Sequence, residues 1–141
     1  MPALTAPQIV KAIINALDES NASSILLSTM QGNPRRFVVQ HGSNTFELWI
    51  YIWTLTHGGG AARPQDEYRI QLTGVQAPLE LNPRGHTLLL GYEPTIQCFA
   101  GFDLSKHKFF STRSPSIQIP ITTLHDALQY GFSFTTKGND E

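Results

Sequence analysis

The chain has 141 residues, of which 40% are hydrophobic and 15% charged, with a formal net charge of −1; that is one domain's length with enough apolar material for a core, and it excludes the disordered class. A single cysteine, Cys98, excludes internal disulfides and thiolate zinc clusters, and no two of the five histidines have the i, i+4 spacing of a helical metal site. No apolar run approaches the roughly 18 residues of a membrane span, and the N-terminal segment lacks the basic start and apolar middle of a signal peptide, so a cytoplasmic protein needing no metal or cofactor is expected.

Residues 6–18 read as a helix, with Pro7 in the first turn and Ile9, Val10, Ile13, Ile14 and Leu17 recurring on one face. Strand signals follow at Ser24–Met30 and Arg35–His41, separated by a turn around Gly32, Asn33 and Pro34. After a turn at Gly42–Asn44 comes Thr45–Thr56, the longest strand candidate and rich in aromatic and β-branched residues. A glycine-rich loop over 57–66 leads to a strand at Glu67–Thr73, with Tyr68, Ile70 and Leu72 on one side and Arg69, Gln71 and Thr73 on the other. Strands at His86–Tyr92 and Thr95–Phe102 flank a turn at Glu93-Pro94. A basic loop over 103–115 precedes a short strand at Ser116–Ile119, and Pro120 opens a second helix over about 120–130. This order predicts one α+β domain over 1–141: a mostly antiparallel sheet, curved or partly closed, with helices packed on it.

Catalytic signatures are absent. There is no nucleophile elbow, no phosphate-binding loop opening a helix and no carboxylate two residues before a lysine. Cys98 shares a strand face with Ile96, Ala100 and Phe102, which makes it a small core residue. No catalytic residue is assigned, and no enzyme activity is expected of the chain alone.

Three features could bind a ligand. Along Thr45–Thr56, side chains alternate, so Phe46, Leu48, Ile50 and Ile52 face one way and Trp49, Tyr51, Trp53 and Leu55 the other. The strand is therefore covered on both sides, by the N-terminal helix on the aromatic face, or Trp49, Tyr51 and Trp53 form a pocket able to stack a base, worth ~1–3 kcal/mol. The loop at His57, with Arg63, Tyr68, Arg69 and Gln71 following, offers a donor-rich edge suited to phosphates and guanine edges, or is a solvated hairpin. Lys106, Lys108 and Arg113 interleave with Phe109 and Phe110, either tracking a nucleic-acid backbone or simply solvated, and Arg35-Arg36 adds a further cationic pair.

Several of these segments also carry a family likeness. The runs Trp49-Ile-Tyr-Ile-Trp-Thr-Leu-Thr-His57-Gly-Gly, Arg63-Pro-Gln-Asp-Glu-Tyr-Arg-Ile-Gln71, Leu88-Leu-Leu-Gly-Tyr92, Phe99-Ala-Gly-Phe-Asp103 and Ser114-Pro-Ser-Ile-Gln-Ile119 together resemble the N-terminal recognition domain of bacterial HNH-type restriction endonucleases, over about residues 45–139. The resemblance implies a module that reads double-stranded DNA, modified or unmodified, while a separate nuclease domain or subunit cuts. It places recognition on His57, Arg63, Tyr68 and Arg69; the cleavage motif of such enzymes is absent from this chain. The competing expectations are a protein-interaction or small-ligand domain built on the aromatic strand, and a nuclease with an unfamiliar site.

Overall fold

The computed structural model describes residues 4–57, 67–104 and 116–120, together with Thr123 and Ala127. Helix α1 (Ala6–Glu19) is followed by strands β1 (Ala22–Leu26), β2 (Arg35–His41), β3 (Asn44–Thr54), β4 (Thr56–His57), β5 (Glu67–Gln71), β6 (His86–Glu93), β7 (Cys98–Phe102) and β8 (Ser116–Pro120). Among the described residues no helix is long and apolar enough to cross a membrane. The second helix expected over about 120–130 lies outside the described residues but for the two isolated positions.

Local chemistry explains the boundaries. Thr5 caps α1 by accepting the Gln8 N–H, and the Gln8 side chain accepts the Thr5 N–H in return, a reciprocal capping box. Asn21 at φ +62° reverses the chain just after α1, so β1 starts at Ala22, earlier than the polar run 18–24 implies. A two-residue loop joins β2 to β3, with Gly42 at φ +61° supplying the left-handed conformation such loops need. Strand β7 begins at Cys98 rather than at Thr95, because Glu93 accepts the Ile96 N–H at 2.9 Å and Gln97 adopts φ +53°, holding 94–97 as a turn.

Two open sheets result, ordered β1-β2-β3-β6-β7 and β4-β5-β8. Every strand pair is antiparallel except β3 with β6, which run parallel from Leu48↔His86 to Thr54↔Tyr92. The expected mostly antiparallel α+β arrangement is thus present, but the larger sheet is mixed and neither sheet closes. The long strand expected over Thr45–Thr56 is two strands. It leaves the first sheet at Leu55, whose N–H still bonds the Tyr92 carbonyl, and enters the second as β4.

The five-stranded sheet is the middle layer. On one face, Ile9 and Ile13 of α1 pack on Phe37, Val39, Leu48, Ile50, Ile52 and Tyr92. On the other, Tyr51, Leu55, Leu89 and Ala100 pack on Ile70 and Ile117 of the small sheet, with Leu72 and Leu79. Gly91 sets the spacing between the sheets: a Cβ there would lie 2.7 Å from Ile70 Cγ2 and 2.8 Å from Leu55 Cγ.

Candidate functional site

The alternation of β3 places Tyr51 and Trp53 on the face that meets the small sheet, whereas Phe46 packs on the α1 side. Tyr51 is 2% exposed and donates its hydroxyl to the Glu80 carbonyl at 2.7 Å, while Trp49 is 6% exposed. This corrects the base pocket expected on Trp49, Tyr51 and Trp53 at its first two members: Tyr51 packs with Ile70 and Ile117 of the small sheet, and Trp49 is buried with the Arg36 guanidinium over its ring. Trp53 alone of the three stays half-buried, its indole N–H donating to the Thr73 carbonyl and its ring stacked on Tyr51.

Adjacent residues in a strand point to opposite faces, and β2 therefore separates the two arginines. Arg36 is exposed, reaches Glu47 at 3.5 Å and lies 4.8 Å over the Trp49 ring, within cation–π range. Arg35 turns inward and is 5% exposed, a correction to its expected place on a cationic surface. Its Nε donates to the Met30 carbonyl at 2.8 Å and its Nη1 to Asn33 Oδ1 at 3.3 Å. Burial lowers the guanidinium pKa from its ordinary value.

Glu47 accepts the Trp49 indole N–H at 2.6 Å, and that bond, with Arg36 alongside, holds its carboxyl below the usual carboxylate range despite some opposing desolvation. A carboxylate with a depressed native pKa stabilises the fold above its unfolded pKa, and the contribution fades as pH falls through the native value. Tryptophan emission from the wild type should therefore change at the acid end, below the ordinary glutamate titration, and Glu47→Gln should abolish that step in an acid titration followed by fluorescence.

The small sheet separates its residues equally clearly. Ile70 and Ile117 are buried, and Tyr68 packs beside them, so Tyr68 lies on the inner face rather than beside Arg69. On the outer face the register aligns Thr56, Arg69 and Gln118 in one row across three strands, with Gln71 two positions along β5. Sequence reading found Arg69 and Gln71 but missed Thr56 and Gln118. The alternation of Gln118 between Ile117 and Ile119 is the signal that marks it. His57 enters β4 opposite Tyr68. Arg63, Lys106, Lys108 and Arg113 lie outside the described residues.

Where the chain passes from β3 to β4, a cleft of about 400 Å³ opens, lined by residues of α1, of the 32–35 segment, of the β3–β4 crossover and of the end of β5. Its walls include Leu4, Asn33, Arg35, Trp53, Thr56 and Thr73. Asn33 holds one wall by extending the β2–β3 ladder with its side chain: Oδ1 accepts the Ile52 N–H at 2.9 Å and Nδ2 donates to the Ile52 carbonyl at 3.2 Å.

Cys98 is half-buried, with its thiol directed to the Phe99 carbonyl. Burial, reinforced by the nearby Glu93, pushes that thiol upward and away from nucleophilic use. Among the described residues no group of three or more His, Cys, Asp or Glu side chains is arranged to hold a metal.

A family model described as MTaX1, Methylase-associated X1, matches residues 46–141, taking in most of β3 and everything after it. No curated protein and no solved structure matches the chain. The matched stretch almost coincides with the region that resembles the HNH-type recognition domain, but its family is associated with methylases, and no link to HNH endonucleases comes with it.

Proposed function

The chain belongs to the methylase-associated X1 family, and on that premise we propose that it is a DNA-recognition module serving a methylase in a restriction-modification setting. Its role is to read duplex DNA, with a modified base among the targets it can discriminate; the chemistry falls to the associated enzyme. The observation that carries this reading is the outer row Thr56–Arg69–Gln118 with Gln71, all within the family-matched residues. Arginine forks complement guanine O6 and N7, and glutamine carboxamides complement adenine N6 and N7, so this row has the chemistry of base-edge readout. Strands that present polar side chains on one face can also enter a groove.

The test is duplex binding by fluorescence anisotropy across a salt series. The wild type should bind at low ionic strength with an affinity that falls steeply with salt. Arg69→Ala should weaken binding about tenfold or more, the loss of ~1–3 kcal/mol from one good base or phosphate contact, whereas Lys11→Ala on the exposed side of α1 should have little effect. Absence of binding to any duplex at low salt, or equal losses in the two variants, would overturn the reading.

A further inference from the structure

A charged side chain withdrawn from water normally has a counter-charge, because burying an isolated ion costs several kcal/mol. Arg35 departs from that rule. Its two hydrogen-bond acceptors, the Met30 carbonyl and the Asn33 amide oxygen, are neutral, and among the described residues no carboxylate pairs with it. Nη2 has no partner there either. Since no fully buried side-chain nitrogen or oxygen among the described residues lacks a partner, Nη2 is not sealed in, and the open space that Arg35 lines is the cleft.

The surroundings reinforce the positive charge. Leu4, just before the N-cap, and Ile9 of the 14-residue α1 line the cleft, and the first turn of that helix carries no acidic residue to offset the positive end of its dipole. Thr54, Thr56 and Thr73 contribute hydroxyl-bearing residues to the lining, and Trp53 contributes the aromatic one. A volume of about 400 Å³ falls in the range of small-molecule sites.

We propose that this cleft binds a small phosphate monoester carried on a planar ring, a nucleoside monophosphate, with the terminal phosphate on Arg35 and the ring along Trp53. A monoester phosphate brings close to two negative charges and three acceptor oxygens, enough to take Nη2 and neighbouring hydroxyls together. A guanidinium that is only 5% exposed must be approached end-on. A terminal group can do that, and a backbone diester flanked by two sugars cannot. The site is centred on Arg35 and Trp53, which the DNA-reading row does not use, and shares Thr56 and Gln71 of its rim with that row.

Calorimetric titration of the full chain tests the assignment, with adenosine and cytidine monophosphates, the corresponding nucleosides, and a blunt duplex lacking terminal phosphates. The monophosphates should bind, and the nucleosides should bind at least tenfold more weakly. Monophosphate binding should be present whether or not the duplex binds the neighbouring row. Arg35→Lys, which keeps the charge but loses the fork, should weaken nucleotide binding about tenfold or more. Because Arg35 is buried and that variant can fail to fold, Thr73→Glu provides a second arm: it is an exposed position on the cleft wall where an added negative charge should repel the phosphate to a similar degree. No binding of either monophosphate at millimolar concentration, nucleosides binding equally well, or full affinity in Thr73→Glu would each overturn the proposal.

Discussion

Asn33→Ala is expected to destabilise the protein by about 3–4 kcal/mol, measured by chemical denaturation. The Asn33 carboxamide satisfies both the N–H and the carbonyl of Ile52 and accepts from Arg35 Nη1. Ile52 is 1% exposed, so water replaces those bonds poorly, and each buried polar group left unsatisfied costs about 1–3 kcal/mol. The sum stops short of three full penalties because the neighbouring cleft admits solvent on one side. Asn33→Asp separates the contributions. It keeps the acceptor for Ile52 N–H and gives Arg35 an anionic partner while losing only the donor to the Ile52 carbonyl, so its cost should be about half that of alanine. Equal stability of wild type and Asn33→Ala would show that Ile52 finds other partners.

Gly91→Ala should cost about 2–3 kcal/mol, near the top of the range for overpacking a well-filled core. The new methyl would meet Ile70 Cγ2 and Leu55 Cγ and Cδ2 at 2.7–2.9 Å, closer than carbon atoms approach without displacement. Both neighbours are buried between the sheets, Ile70 at 0% and Leu55 at 3% exposure, and have little room to retreat. The diagnostic measurement is a double-mutant cycle with Leu55→Ala. Truncating the leucine opens the space that the methyl needs, so the two losses should fall well short of adding. Simple additivity would place the strain elsewhere.

Much of the fold is legible locally. Strand β2 runs over the predicted Arg35–His41, and of the face predicted for α1 Ile9, Val10 and Ile13 are buried while Ile14 is exposed; both readings depend on short-range alternation of apolar and polar residues. The parallel pairing of β3 with β6 is not legible, since partners more than thirty positions apart leave no trace in either segment's own pattern. The same limit governs the aromatic strand. Two apolar faces on Thr45–Thr56 imply two coverings, but nothing local says that Tyr51 and Trp53 meet a second sheet and Leu48, Ile50 and Ile52 meet the helix. The separation of Arg35 from Arg36, by contrast, was available in the sequence: neighbours on a strand cannot share a face. The role of Asn33 was not, because a turn-forming asparagine looks the same whether its amide faces water or completes a ladder.

The passage of one strand through two sheets has a consequence for how the molecule can be divided. The family-matched residues start at Phe46, inside a strand whose flank is zipped to Arg35–His41. Excised there, that stretch would bare a row of backbone donors and acceptors and the apolar side chains that α1 shelters, the kind of raw border that invites chains to stick to one another. The edge of the family match and the edge of the packed sheet are thus different lines. The opening helix and first two strands are part of what the matched stretch needs to cover its own sheet.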